Sequence, residues 1–561
     1  MQHHVAKQMG VPLIDYADAM KHAVEGGPKG ISWLSKPAPY LVDFFLCSFQ
    51  IGVCCIYVSF ISNNLKQISD EFWIVLSLRT WFIITGAIIL PLNQLRNLHH
   101  LSPLSTAGDF LVVGGLGVVF YYIFKDGLSL GSDVELIPEN PFKGFALFFG
   151  TLMTAVQSIG VIVSLENNMK QPADYRKPCG VFNIGMVFIT CLYGFTGLVG
   201  YMKYGAATQG SVTLNLPKTS ILPVLVKLAF AFVILFTYPL QCFMPTDILW
   251  RNYVRIHITQ KSRKWVYNTI LRTVLVVFSV LVASLIPFLD LLISTVGAFS
   301  LPTVGITFPA IMELSVFYKE NSSPRWEKRL TTWIKIKCIA LIIFGIFSMI
   351  LCTYVCLFSI SDAGPNTANP TQVFVGNLTA TLTPSNTSRV MNNNNNNNPL
   401  PNDNLKGEGY GLDTQPHPPS KDHGDSVDLG AKENGLTQPP YLHEPQYMPG
   451  KWRIGTLLPA PKGSLPEDFD PYNHRAGIVK GATTNAETLI HLMKGSLGTG
   501  MLAMPIAFKN AGIVDGLIGC ALISFIASYG MHQLDRRHAP RGCLDFCKLV
   551  SALNKIDEES I

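Results

Sequence analysis

Charge is scarce in this chain: Asp, Glu, Lys and Arg make up only 14% of its 561 residues, against 48% hydrophobic residues. The net charge of +6 does not point to nucleic acid, because Lys and Arg lie between long apolar blocks, where membrane topology places them. A nucleophile, metal or phosphate motif is also missing, which speaks against an enzyme, so no catalytic residue, no metal and no cofactor is expected. The twelve cysteines form no metal or redox pattern. Cys54, Cys55, Cys191, Cys242, Cys352, Cys356 and Cys520 fall in apolar segments as small hydrophobes. Cys543 and Cys547 have neither the spacing nor the partners of a zinc site. Residues 1–40 carry Lys7, Lys21, Lys29 and Lys36 but no apolar core, so no cleavable signal peptide is expected and the first spanning segment serves as membrane entry.

What is abundant is apolar sequence in blocks of spanning length, about 20 residues for a hydrocarbon core of ~30 Å. Spans are expected near 41–62, 73–94, 104–124, 143–165, 181–202, 222–248, 270–288, 291–316 and 336–358, and two more near 486–508 and 513–534, eleven in all. The fold class is an all-α polytopic membrane protein. Its domain plan is a cytosolic segment 1–40, nine helices over 41–358, a polar stretch 359–484, two helices over 485–534 and a cytosolic tail 535–561. The polar stretch holds an asparagine run from Asn392 to Asn398 and cannot bury a core, so disorder is expected there.

Basic clusters mark alternate loops as cytosolic: Lys170, Arg176 and Lys177; Arg251, Arg255, Lys261, Arg263 and Lys264; Arg325, Lys328, Arg329, Lys335 and Lys337. The loop near 125–142 is acidic, as an outside loop can be. Nine crossings from an inside start leave residue 359 outside, and the sequons at Asn377 and Asn386 fit glycosylation on that side. The final two spans contradict this path. Lys451, Arg453, Lys462, Arg475 and Lys480 before them, and Arg536, Arg537, Arg541 and Lys548 after them, call for both ends in the cytosol, yet nothing between 359 and 484 can cross a membrane.

The most informative segment is TLIHLMKGSLGTGMLAMPIAFKNAGI, residues 488–513. Gly495, Gly498 and Gly500 with Pro505 would open this helix in mid-membrane, which is tolerated only where the freed backbone groups line a cavity and meet a ligand or ion. A glycine-rich packing face on an ordinary membrane helix is the competing reading.

This block resembles the first helix of the proton-coupled amino acid transporters, within the amino acid/auxin permease superfamily. Other blocks resemble later parts of the same family in order: VDFFLCSFQIGVCCIYVSFISNNLKQ from Val42 its third helix, FFGTLMTAVQSIGVIVSLENNMK from Phe148 its sixth, FNIGMVFITCLYGFTGLVGYMKYG from Phe182 its seventh with GSVTLNLP after it, and FTYPLQCFMPTDIL from Phe236 its eighth. The order is therefore rotated, with the family's third to eleventh helices first and its first and second last. Joining the back of one transporter gene to the front of a tandem neighbour would produce this order; a circular permutation is the rival account.

The resemblance implies a leucine-transporter-like inverted-repeat fold working by alternating access, with its first and sixth helices broken at the midplane and half-helix N-termini aimed at the substrate carboxylate. The matching positions are Gly495, Ser496, Gly498, Thr499 and Gly500 in one helix and Gln157, Ser158 and Gly160 in the other. It makes His491, one turn before the glycines, the proton-coupling candidate; a cytosolic-end histidine hydrogen-bonded to a neighbour is the alternative. Glu166 reads as a gate or a structural hydrogen bond. Family members commonly carry phenylalanine-glutamate-glycine-isoleucine-glycine where this chain has Val156-Gln157-Ser158-Ile159-Gly160, so an amide replaces a carboxylate and a serine narrows the pocket. The implied partners are small neutral amino acids, protons as coupling ion and the lipid bilayer of the plasma membrane or an endolysosomal membrane. A non-transporting amino acid sensor on the same fold and an inactive chimeric chain are the alternatives. Asp43, Asp109 and Glu313 are expected to face the bundle interior, and Pro245, Pro302 and Pro309 to mark kinks.

Overall fold

A computed structural model describes residues 14–27, 30–72, 75–94, 102–125, 134–156, 180–217, 220–257, 263–318, 325–367, 483–496 and 498–534, with residues 5, 9, 127, 169, 170, 174, 175 and 177. The side chain of Asp109 lies outside this set. Helices α1 (Tyr16–Glu25), α2 (Ala38–Phe72), α3 (Leu78–Asn93), α4 (Ser102–Phe124), α5 (Pro141–Ala155), α6 (Val181–Tyr204), α7 (Ile221–Leu249), α8 (Lys264–Leu285), α9 (Leu289–Pro302), α10 (Phe308–Tyr318), α11 (Arg325–Thr367), α12 (Asn485–Ser496), α13 (Thr499–Leu502), α14 (Met504–Ala511) and α15 (Ile513–Leu534) follow in chain order. Residues 1–367 and 453–561 belong to one compact unit, so the described helices on both sides of residues 368–482 build a single bundle.

Among the described residues, seven helical stretches are long and apolar enough to cross a membrane: Ala38–Phe72, Val181–Ala207, Ile221–His257, Lys264–Leu285, Leu289–Val316, Thr332–Asp362 and Ile513–Gln533. Leu78–Asn93 and Phe110–Phe124 are apolar but shorter. The remaining two expected spans are not continuous helices among the described residues. The one near 143–165 is helical only to Ala155, and residues 157–168 lie outside the described set. The one near 486–508 is broken at its glycines.

Local sequence explains several helix ends. Ser77 caps α3, its hydroxyl accepting from the Thr80 amide at 3.2 Å. Pro141 occupies the first turn of α5, where a missing N–H costs nothing. Gly512 ends α14 at φ +76, a conformation open to glycine, and a Cβ there would also lie 2.6 Å from the Leu136 carbonyl oxygen. Pro302 closes α9 and is followed by one wide turn, Thr303–Thr307, before α10 resumes, as expected where proline interrupts the backbone ladder.

The core is built on α5. Every residue from Ala146 to Val156 is buried, as suits a helix apolar on all sides. α5 meets α9 through small residues that bring the backbones together: a Cβ on Gly150 would sit 2.1 Å from the Ser294 carbonyl oxygen, and one on Gly297 would sit 2.0 Å from that of Gly150. Thr151 and Ser294 share a hydrogen bond at 2.9 Å, and Thr154 donates to the Ile293 carbonyl at 2.7 Å, so the hydroxyls at this contact are satisfied.

The segment after residue 483 packs into this core. α14 seats Pro505 and Phe508 in the notches left by Gly200 and Gly197 of α6. Phe508 also meets Phe148 of α5 edge to face, with ring centroids 6.1 Å apart. α15 brings Gly530 against the Gly305 carbonyl in the wide turn between α9 and α10.

Pairings at the loops define the two ends of the bundle. On the basic face, Thr483 accepts from the Lys170 amide at 3.0 Å and Asn485 donates to Asp174 at 3.1 Å. Arg251 at the end of α7 pairs with Asp15 at 3.1 Å on the same face. Burial pushes the Asp15 carboxyl up to about 6 against the pull of Arg251. On the opposite face, the turn into α15 pairs with the acidic loop, the amides of Ile513 and Val514 donating to the carbonyls of Glu135 and Leu136. Asp362, near the end of α11, lies 3.8 Å from Lys143 there.

Candidate functional site

The helix resembling the family's first is broken where its glycines predict. α12 stops at Ser496, Gly498 runs extended at φ −128 and ψ −157, and α13 restarts at Thr499 before passing through Ala503 into α14. Gly498 donates its N–H back to the Ser496 carbonyl at 2.9 Å. The N–H groups of the first turn beyond it have no acceptor within the helix, as at any helix start.

Each glycine at the break has its own surroundings. A Cβ on Gly500 would lie 2.4 Å from the Ala155 Cα, so α13 rests on the very end of α5. A Cβ on Gly498 would meet, among the described residues, only the Tyr57 hydroxyl, at 4.0 Å. Gly495 falls in the last turn of α12. Ser496 and Thr499 are buried. His491, one turn before the break, is exposed on α12.

Tyr193 of α6 joins the ends of α5 and α12. Its fully buried hydroxyl lies 2.8 Å from the Ala155 carbonyl and 2.5 Å from the Ser496 carbonyl, which are the last residues of α5 and α12. A phenol carries one proton, so it serves two helix-terminal acceptors with a single donor. The Tyr57 hydroxyl of α2 lies beside Gly498, and the Gln241 amide of α7 donates to it at 3.4 Å. Sequence reasoning missed Tyr57, Tyr193 and Gln241; the available signal is a polar group in the middle of an apolar span, which needs a partner.

Gln157, Ser158, Gly160 and Glu166 lie outside the described residues, as do the sequons Asn377 and Asn386. The described site is therefore one broken helix, the end of a second, and neutral hydroxyl and amide groups around them. Such groups bind and orient a polar ligand. Among the described residues, no three His, Cys, Asp or Glu side chains come together to hold a metal ion.

The acidic residues expected inside the bundle have partners near the basic face. Asp43 accepts from Asn252 at 2.7 Å and from the Tyr253 hydroxyl at 3.3 Å. Glu313 of α10 is fully buried and pairs with Lys337 of α11 at 2.7 Å; it also accepts from Gln533 of α15 and from the Cys338 thiol at 3.3 Å. Lys337 donates further to the Tyr529 hydroxyl at 2.7 Å.

Apolar helices of spanning length around a helix broken at a buried polar centre define an integral membrane protein of the solute-transporting kind. Residues 13–358 and 481–543 match the transmembrane amino acid transporter protein family, and the chain belongs to it. Over 356 residues it is 30% identical to the proton-coupled amino acid transporter-like protein pathetic of Drosophila melanogaster, covering 63% of this chain and 73% of the relative. Over 323 residues it is 28% identical to the amino acid transporter AVT3C of Arabidopsis thaliana, covering 54% of this chain and 69% of the relative. No solved structure matches the chain. The family match resumes at residue 481, just ahead of the broken helix.

Proposed function

We propose that this bundle carries small neutral amino acids across the plasma membrane or an endolysosomal membrane by proton-coupled alternating access. The observation that carries the reading is the break between Ser496 and Thr499, where α13 rests on the end of α5 and both helix ends meet Tyr193. The substrate carboxylate docks on the N–H groups following Gly498, with the hydroxyls of Ser496 and Thr499 beside it and Gln157, Ser158 and Gly160 completing the pocket. Gly495 and Gly500 keep side chains out of the way, and Glu166 gates the cytosolic end. His491 loads the coupled proton: an imidazole can both accept and release one, and its exposure leaves it open to exchange. The coupling ion is the proton, and no cofactor takes part.

Uptake of labelled alanine into cells or proteoliposomes under an inward proton gradient tests the reading. Glycine, alanine and proline should compete and tryptophan should not. His491→Ala should remove the acceleration by the gradient while counterflow exchange at symmetric pH persists; pH-driven uptake left intact by this change would reject His491 as the proton site. Saturable binding without flux would make the chain a sensor.

A further inference from the structure

The basic face separates its charges. Where α2 begins, the ring of Tyr40 lies 6.1 Å from that of Tyr253 in the wide turn Trp250–Val254 that follows α7. The carboxylates of this corner are engaged within it. Asp43 is buried and accepts from Asn252 and Tyr253, and Asp15 pairs with Arg251. Asp247 lies within electrostatic reach of Arg251 and Arg272, and Asp18 within that of Asp15 and Asp43. The cations at the rim are exposed: Lys36 just ahead of α2, Arg255 in the tight turn after the wide one, and Arg263 just ahead of α8. The opposite face is unlike it, with Glu135 and Glu139 exposed.

Aromatic side chains stand with these cations: Trp33 is 71% exposed, Tyr40 63% and Trp265 61%. A ring with one polar edge is best accommodated at the depth of lipid headgroups, where its apolar body and its N–H or O–H both find suitable surroundings. At that depth exposed lysine and arginine meet phosphate, and the arginine fork can hold it through two hydrogen bonds. Further along the same helices Phe44 of α2 and Ile270 of α8 are exposed and apolar. A soluble anion would use the cations alone. A ligand that also uses the rings and the apolar surface beyond them carries acyl chains.

We propose that the corner formed by the starts of α2 and α8 and the end of α7 is a binding site for the headgroup of an anionic phospholipid in the leaflet that meets the basic face. Lys36, Arg255 and Arg263 hold its phosphate, Trp33, Tyr40 and Trp265 flank it, and its chains follow α2 and α8 into the hydrocarbon. The site does not depend on which solute the bundle carries.

The full chain in a neutral detergent, offered equal amounts of phosphatidylserine and phosphatidylcholine, tests this when the retained lipid is counted by native mass spectrometry. Phosphatidylserine should be retained in preference. Lys36→Gln, Arg255→Gln and Arg263→Gln should each lower that preference about fivefold, as expected for one cation near a lipid surface. Lys143→Gln, on the opposite face, should leave it unchanged. Arg255→Lys and Arg263→Lys keep the charge and should keep most of the binding, which separates lost charge from lost fold. Equal retention of the two lipids, or a triple glutamine variant that retains phosphatidylserine as the parent does, would overturn the proposal. Displacement of the lipid by glycerophosphoserine, the same headgroup without chains, at equal concentration would assign the corner to a soluble anion and overturn it as well.

Discussion

Two buried polar centres hold this bundle together, and they are built differently. Around the helix break, Tyr193, Tyr57, Gln241, Ser496 and Thr499 are all neutral, and one phenol proton is shared between two carbonyls. Near the basic face, Glu313 and Lys337 form a full ion pair, wrapped by Gln533, Cys338 and Tyr529. A buried ion pair is costly to take apart one partner at a time, so it suits a contact that must not open. Neutral donors and acceptors exchange partners at low cost, which suits a place where a zwitterion arrives and leaves.

The largest effect should come from breaking the charged centre on one side only. Lys337→Met leaves Glu313 buried without its cation and should cost about 3–5 kcal/mol, seen as loss of monodisperse protein in detergent. The double change Glu313→Gln with Lys337→Met should recover most of the yield. If the single and double variants behave alike, the pair is no fastening.

Next in size is steric. Gly500→Val would drive a side chain into the Ala155 backbone, and overpacking of this kind costs about 1–3 kcal/mol. Substrate-induced stabilisation in a thermal melt should disappear even where protein survives. Gly498→Ala, whose Cβ meets only the Tyr57 hydroxyl at 4.0 Å among the described residues, should be tolerated far better. Equal damage from both would remove the distinction between the two glycines.

At the neutral centre, Tyr193→Phe keeps the ring and removes the donor, leaving two buried carbonyls without it at a cost of about 1–3 kcal/mol. Transport KM should rise while expression stays close to the parent level. An unchanged KM with lower expression would make Tyr193 purely structural.

The smallest effect lies outside both centres, at Asp15. The folded state holds this proton up to about pH 6, higher than a free carboxyl, so it binds more protons than the unfolded chain in the window below. Stability should therefore decline slightly as pH rises from about 4 to about 6 and level off above it. Asp15→Asn should flatten that slope in melts recorded across this range.

Much of this was legible in advance. The spans expected at 181–202, 222–248 and 513–534 fall on α6, α7 and α15, because a long apolar run in a membrane has no alternative to helix. The break between Ser496 and Thr499 follows from Gly and Pro in one short block. Helix α1 was missed within the segment taken only as cytosolic, although Ala19, Met20, Ala23 and Val24, all buried, repeat at helical spacing. The partners of Asp43 and Glu313 were not legible, since hydropathy says that a charge must turn inward and not which distant residue meets it.

By itself, then, the sequence determined that the chain enters a membrane as helices, where one helix opens, and which loops are basic, because each follows from composition over a few turns. Only the tertiary structure decided that Tyr193 ties two helix ends, that Glu313 meets Lys337 and Gln533, and that Asp362 of α11 meets Lys143 while Thr483, ahead of α12, meets Lys170. Those are contacts between residues far apart in the chain, set by the packing of whole helices, and no local pattern encodes them.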